Sequence, residues 1–280
     1  MTTLFHVAQN WLNQDPDVET RAELTALLEA AKGGDKAAEA ELYARFDGRL
    51  QFGTAGLRGR LQAGSMGMNR VLVSQAAGGL AEYLKNYDKE PSIVIGYDGR
   101  KNSDVFARDT AEIMAGAGIK AYLLPRKLPT PVLAYAIQYF DTTAGVMVTA
   151  SHNPREYNGY KAYWDDGAQV LAPHDKGIID EVNKVKVEDV KFEGNKALIQ
   201  IIGEDVDKVY LEQVKTISID PQVIKNQHDL KIVYTPLHGA GRVMIPRALA
   251  SWGFDNVHCV KEQMVKDGNF PTVDRPNPEI

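Results

Sequence analysis

The sequence predicts an α/β protein: a mixed, mainly parallel sheet sandwiched between helices, followed by part of a second α/β unit of the same type. Three observations carry this reading. Apolar runs of strand length recur at 93–95, 122–124, 145–148, 232–234 and 257–260. Helical patterns separate them, and strands that alternate with helices point to βαβ units whose sheet is covered on both faces. The 280 residues are 44% hydrophobic and 25% charged, an ordinary globular composition with enough apolar material for a core.

The first 48 residues read as a helical extension. Leu24, Leu27, Leu28 and Ala31 follow the i, i+3, i+4, i+7 spacing of one buried helix face. Gly33-Gly34 breaks that helix, and Asp35 is placed to cap another through Leu42 and Phe46. Further on, Ser103 is expected to cap a helix carrying Phe106, Thr110, Ile113 and Met114, ending at Gly116-Ala117-Gly118. Thr130-Pro131 opens another, with proline at its favoured first position, through Leu133, Ile137 and Phe140. A third runs from Asp175 through Ile178, Ile179 and Val182. Residues 186–204 are polar and charged, a helix follows at about 204–215, and Asp220-Pro221 reads as a turn. The expected division is 1–48 as the extension, 49–205 as a first domain and 206–280 as a second.

Composition excludes several functions. The net charge of −5 lacks the basic surplus of a general nucleic-acid binder. No apolar run reaches the 18 residues of a membrane span, and the start Met1-Thr2-Thr3-Leu4 has no signal-peptide character. A single cysteine, Cys259, forbids an intrachain disulfide and any zinc site with two thiolates. The expectation is a soluble cytoplasmic protein.

Candidate chemistry gathers in three places. The run Val146-Met147-Val148-Thr149-Ala150-Ser151-His152-Asn153-Pro154 ends a buried strand with a hydroxyl, an imidazole and an amide. Sites in open α/β sheets form there, although a plain Ser/Asn turn fits the same residues. Asn158-Gly159-Tyr160-Lys161 places a lysine within reach of that loop, or leaves it solvated. Phe52-Gly53-Thr54-Ala55-Gly56-Leu57-Arg58-Gly59 reads as a phosphate cradle of free backbone N–H groups and a guanidinium, or as a flexible connector. It is not a P-loop, since Gly-x-x-x-x-Gly-Lys-Ser/Thr is missing.

Other motifs are set aside. Gly116-Ala117-Gly118 matches a dinucleotide fingerprint but leaves a helix for a strand, the reverse of the required order. A nucleotide-binding reading rests on that motif alone. The acids at Asp15-Pro16-Asp17 and Asp205-Val206-Asp207 suit helix starts better than metal. Of the six histidines, His152 and His238 lie in loops beside glycine or proline, and none shows His-Glu-x-x-His spacing.

Taken together, the motifs resemble the α-D-phosphohexomutase family, the phosphoglucomutases and phosphomannomutases. Residues 149–154 look like that family's phosphoserine loop, and 52–59 resemble its N-terminal Gly-Thr-x-Gly-x-Arg-Gly loop. Gly96-Tyr97-Asp98-Gly99-Arg100 and 158–161 match two more family segments. Tyr234-Thr235-Pro236-Leu237-His238-Gly239, then 267–271 with Pro276-Asn277-Pro278-Glu279, are similar to the second domain of its long phosphoglucomutase/phosphopentomutase branch.

The resemblance implies a phosphosugar mutase, most directly one converting glucose 1-phosphate to glucose 6-phosphate, with mannose or pentose phosphates as alternatives. A phosphoserine at Ser151 would pass its phosphoryl group to the sugar and recover the other phosphate from a bisphosphate. His152, Lys161 and Arg58 would serve catalysis. Thr54, Gly56, Arg58, Ser151, His152, Asn153 and Lys161 would bind substrate phosphate. Mg²⁺ would sit on the Ser151 phosphate, and glucose 1,6-bisphosphate would act as activator. The family's Asp-x-Asp-x-Asp-Arg metal loop follows the Pro-Asn-Pro-Glu segment and is not in this sequence, nor are its sugar loop and C-terminal phosphate loop. The chain therefore reads as the N-terminal half of a four-domain enzyme, inactive by itself; the alternative is a catalytically incomplete fragment that acts only as a phosphate- or partner-binding unit. A second unit cut within its fold would expose Val233, Leu249 and Val260 and favour self-association.

Overall fold

The computed structural model describes residues 2–53, 56–192, 194–277 and Glu279. Three helices open the chain: α1 (Thr2–Gln14), α2 (Val18–Lys32) and α3 (Lys36–Phe46). Asp17 and Asp35 cap the second and third, each accepting backbone N–H bonds through its carboxylate. The acids at 15–17 thus serve a helix start. Leu24, Leu28, Ala31 and Leu42 close a small core with Ala8 and Trp11, and that core rests on Val71 and Leu72.

Strand β1 (Leu57–Arg60) follows, then helix α4 (Arg70–Tyr87), strand β2 (Ser92–Tyr97), helix α5 (Ser103–Gly116), strand β3 (Lys120–Leu123) and helix α6 (Thr130–Tyr139). Strand β4 (Ala144–Val148) pairs with the long strand β5 (Tyr157–Trp164). Helix α7 (His174–Val182) and strand β6 (Ile199–Ile201) complete the unit. The sheet order is β1-β5-β4-β2-β3-β6. Strands β2, β3, β4 and β6 run parallel, and β1 and β5 form the antiparallel flank. The predicted mixed, mainly parallel sheet between helices is therefore present.

Helices α4, α5 and α7 cover one face, where Leu80, Leu84, Phe106, Met114 and Ile178 are buried against Ile93, Ile95, Val146 and Tyr160. Helix α6 covers the other, where Leu133, Ala136 and Ile137 meet Val94, Met147 and Tyr163. The chain leaves β2 through α5 to reach β3, then crosses back through α6 to β4. The crossovers lie on opposite faces, so the C-terminal ends of β2 and β4 flank a topological switch point.

The remaining elements are helix α8 (Asp205–Lys215), helix α9 (Pro221–Asn226), strand β7 (Ile232–Tyr234), helix α10 (Gly241–Trp252) and strand β8 (Val257–Cys259). Strands β7 and β8 are parallel and form a separate two-stranded sheet. Helix α8 joins the two sheets physically. Its Val206 is buried in the α6 core, and its Asp207, 3% exposed at the side chain, pairs with Arg126 and, at 3.1 Å, with Arg247 of α10.

Several expectations need correction. Ser103 does not cap α5. Its hydroxyl donates to Asp98 at 2.7 Å, and the cap position falls on Asn102 in a left-handed conformation with φ 63°. Asp220-Pro221 is a helix start rather than a turn, because the Asp220 carboxylate accepts from the N–H groups of Gln222 and Val223. Leu57, Arg58 and Gly59 belong to strand β1, with Arg58 and Gly59 paired to Gly159 and Asn158, so this end of the 52–59 run is neither loop nor flexible connector. The polar segment before residue 204 carries an edge strand, β6, which leaves Ile201 59% exposed. Of the apolar side chains expected at the surface of the second unit, Val233 is 70% exposed. Leu249 and Val260 are half-buried, one on the crossover helix and one where the chain turns back after β8. Among the described residues, no helix is long and apolar enough to cross a membrane.

Phe106 is fully buried between α5 and the sheet. Replacing Phe106 by Ala removes most of a ring from a packed core, and an unfolding free energy lower by about 3–5 kcal/mol is expected. A denaturant midpoint within error of the parent would contradict this placement.

Candidate functional site

The loop after β4 begins with two buried residues, Thr149 and Ala150, and then surfaces at Ser151 and His152. Ser151 has φ 56°, a left-handed backbone that turns its hydroxyl outward, and such non-glycine outliers concentrate at functional sites. Its N–H donates to Thr149 Oγ1 at 3.0 Å, and Asn153 N–H closes a turn on Ala150 O at 3.1 Å. The Ser151 hydroxyl lies 3.3 Å from His152 Nδ1.

A buried arginine holds this turn from beneath. Arg100 follows β2, and its side chain is 1% exposed. Its Nη2 donates to the carbonyls of Ser151 (2.8 Å) and Asn153 (2.7 Å), and its Nη1 to those of Pro154 (2.9 Å) and Tyr157 (3.1 Å). Nε faces Asp98 Oδ2 at 3.4 Å. All three guanidinium nitrogens therefore face acceptors, as the planar fork of donors requires. Burial lowers the Arg100 pKa, and the Asp98 carboxylate opposes that shift. Asp98 in turn accepts from Thr149 Oγ1 at 2.6 Å, Ser103 Oγ at 2.7 Å and the Arg100 N–H at 2.9 Å. Fully buried Asn158 donates to Ser103 Oγ at 2.9 Å and to the Lys101 carbonyl at 3.0 Å. The loops after β2 and β4 are thereby one hydrogen-bonded body.

Two cations complete the rim. Arg58 on β1 is opposite Gly159 of β5, and Lys161 two residues on is opposite Met147 of β4. Strand alternation puts Arg58, Gly159 and Lys161 on one face. Arg58 Nη1 reaches Asn153 Oδ1 at 3.4 Å, which brings it beside the serine turn. Burial pushes the Lys161 pKa down, and the Arg58 charge adds to that shift. Gly56, with φ 92°, lies close against β5, where a Cβ would collide with the Tyr160 carbonyl and crowd Lys161 Cα.

The structure thus brings Ser151, His152, Asn153, Arg58 and Lys161 together, with Gly56 behind them. Thr54 lies outside the described residues. The expected cradle of free N–H groups is altered: Gly53 and Gly56 exchange backbone hydrogen bonds of 3.0 and 2.8 Å, so these two donors are occupied. His238 is a structural tie. It is 1% exposed, with Nδ1 2.7 Å from Val265 O and Nε2 2.8 Å from Thr272 Oγ1. Gly116-Ala117-Gly118 ends α5 and enters β3, far from any strand–turn–helix cradle. The site residues that sequence reasoning gave no role are Asp98, Arg100, Ser103, Thr149 and Asn158. Asp98, Arg100, Thr149 and Asn158 lie within the quoted motifs at 96–100, 149–154 and 158–161, but only as members of them, and Ser103 reads only as a helix cap.

A cavity of about 360 Å³ opens beside the serine, walled by Arg100, Thr130, Ser151, Thr235, Phe270 and Pro276. It lies between the end of the main sheet and the loops of the second sheet. The fold is thus an α/β/α unit with a polar cleft at its switch point. The family models for phosphoglucomutase/phosphomannomutase alpha/beta/alpha domains I and II match residues 49–189 and 208–280. The chain belongs to the phosphoglucomutase/phosphomannomutase family.

A Haemophilus influenzae relative named "Probable phosphomannomutase" is 58% identical over 217 residues, covering 76% of this chain and 44% of that protein. A Staphylococcus haemolyticus protein named phosphoglucomutase is 39% identical over 239 residues, covering 84% of this chain and 43% of its own length. A crystal structure from Thermus thermophilus superposes with a TM-score of 0.69 at 26% identity, over 81% of this chain and 48% of that one. The chain spans about half the length of the curated relatives that it matches.

The closeness of Arg58 to Lys161 is directly testable. Arg58→Ala removes the repulsion and leaves the burial, so the Lys161 pKa is expected to rise. The pH dependence of amine acylation at Lys161, followed by peptide mass spectrometry, reads the shift. An unchanged titration would show that the two cations do not sense each other.

Proposed function

We propose that the protein of which this chain is part is a phosphosugar mutase. Ser151 carries the phosphoryl group, and glucose 1-phosphate and glucose 6-phosphate are the interconverted substrates. The observation that carries the proposal is the Ser151 turn: an outward hydroxyl on a backbone fixed by Arg100, with Arg58 and Lys161 beside it, at the switch point of a phosphohexomutase domain. Phosphoryl transfer needs positioning and neutralisation of oxygen charge more than covalent chemistry, and this arrangement supplies both.

In the forward step, the sugar hydroxyl attacks the phosphorus of phosphoserine. The bond from Ser151 Oγ to phosphorus breaks as the new sugar ester forms; the sugar hydroxyl's proton passes to a base, and the departing Ser151 Oγ takes up a proton to become the free hydroxyl. Lys161, on the strand beside Arg58, is proposed to take that proton, and the ammonium so formed faces the transferring phosphoryl group. Arg58 holds phosphate oxygens, His152 orients the group on Ser151, and Asn153 and Gly56 belong to the set that binds substrate phosphate. The bisphosphate then turns over and returns its other phosphate to Ser151. Glucose 1,6-bisphosphate, as activator, would phosphorylate the serine initially.

Mg²⁺ belongs to the same proposal for the whole protein. The described residues contain no group of three or more His, Cys, Asp or Glu side chains able to hold a metal. From this chain only the Ser151 phosphate would ligate the ion, so these residues do not make a metal site and no step is assigned to it here. A mannose phosphate is the second reading of the substrate, favoured by the name of the 58% identical relative. The location proposed is the cytoplasm.

The test is a coupled assay for glucose 1-phosphate conversion with the full-length protein, Mg²⁺ and a trace of glucose 1,6-bisphosphate, run beside mannose 1-phosphate. Ser151→Ala is expected to lose at least about 10³-fold in turnover. Full activity in Ser151→Ala would reject the phosphoserine assignment, and faster turnover of mannose 1-phosphate by the parent would transfer the substrate.

A further inference from the structure

The Arg100 clamp is completed by the second unit of the chain. The turn at 267–270 lies directly on the loop after β2. A Cβ placed on Gly268 would stand 3.0 Å from both the Gly99 carbonyl oxygen and the Lys101 nitrogen, and 3.3 Å from Arg100 C. From this turn Phe270, only 6% exposed, presents its ring 5.6 Å from Arg100 Cζ. The edges of the guanidinium are spent on loop carbonyls, so its face is the part open to cover. An aromatic ring suits that face, both as a cation–π partner and as a barrier to water.

The turn is itself rigidly placed. Its N–H at Phe270 closes on Asp267 O at 3.2 Å, and the Asp267 carboxylate accepts from Asn269 N–H at 2.8 Å. His238, anchored to Val265 and Thr272, ties both flanks of the segment to the loop after β7. A connected series of contacts therefore runs from the second sheet through His238, the 265–272 segment, Phe270 and Arg100 to the carbonyl of Ser151. Phe270 also walls the cavity beside the serine.

We propose that Phe270 is a positioning residue for phosphoryl transfer at Ser151, acting through Arg100, so that the geometry of the nucleophile depends on how the second unit is docked. This rests on the assignment of Ser151 as the phosphoryl carrier. Phe270 touches no reacting atom. Its role is to keep the Arg100 plane dry and fixed beneath the serine turn. An error of about 1 Å in placing a reacting group costs on the order of 10²-fold in rate, so loss of the ring should register in the chemical step.

The experiment follows incorporation of phosphate into Ser151 from ³²P-labelled glucose 1,6-bisphosphate, by single-turnover quench and peptide mapping, in the full-length protein. Phe270→Ala is expected to slow labelling by about 10- to 100-fold, with KM for glucose 1-phosphate within about twofold of the parent. Phe270→Tyr, which restores an aromatic face, is expected to label at close to the parent rate. Phe270→Leu fills the space without a ring and serves if the alanine variant does not fold; slow labelling is expected there as well. Parent-like labelling in Phe270→Ala or Phe270→Leu would overturn the proposal. Equal slowing in Phe270→Tyr would do so too, because it would assign the effect to packing alone. Ser151→Ala separates the two claims: label that persists in that variant refutes the phosphoserine assignment, whereas label lost there and unaffected by Phe270 substitution refutes only the positioning role.

Discussion

Arg100 has to remain charged, dry and flat at the junction of two loops, and much of the site follows from that requirement. Its donors reach the carbonyls of Ser151, Asn153, Pro154 and Tyr157, groups that carry no side-chain identity of their own. A buried guanidinium with any of these contacts missing would leave unpaired donors in a low-dielectric interior, which is costly. These contacts hold the loop in the shape in which Ser151 has its left-handed conformation. Asp98, Ser103, Thr149 and Asn158 extend the same logic outward, since each polar atom named in the network has a partner inside it.

The fold serves this constraint by bringing two strand ends together. Strands β2 and β4 are neighbours in the sheet although α5, β3 and α6 separate them in the chain. Placement of the two crossovers on opposite faces leaves a crevice at their C-terminal ends. The antiparallel flank adds the charges: β5 returns from the serine loop and carries Lys161, and β1 lies against it with Arg58. Three segments far apart in sequence thus converge on the surroundings of a single hydroxyl.

The sequence was informative where local chemistry decides structure and silent where distant backbone decides it. Strands at 93–95, 145–148, 232–234 and 257–259 were legible as apolar runs, and the helices from Thr130 and near Asp175 as periodic faces with good starts. Helix α4 was not legible, because it is apolar on several sides and its Gly78-Gly79 pair looks like a break. In the structure a Cβ at Gly79 would collide with the backbone of Val182, so the glycine exists to let α7 pack closely. Strand β5 was hidden by Asn158 and Gly159, a pair normal in turns, which here serve the buried network and the close approach of the Thr149 carbonyl. At the site, Ser151, His152, Asn153, Arg58 and Lys161 were legible from the residue types and the family resemblance together. Arg100 was visible only as part of a motif, because its acceptors are main-chain oxygens some fifty residues further on, for which no residue pattern signals.

The central claim is that Arg100 shapes the serine turn. Hydrogen-exchange mass spectrometry on the parent and on Arg100→Lys tests it most directly, since lysine keeps the charge but cannot span four carbonyls from one nitrogen. The amides of Ser151, Asn153 and Tyr157, each bonded within the loop, are the reporters. The account predicts that peptides covering 149–157 exchange at least about 10-fold faster in the variant, while those covering the core of β2 and β4 keep their protection. Unchanged exchange across 149–157 would contradict it and would mean that the turn holds its shape without the guanidinium.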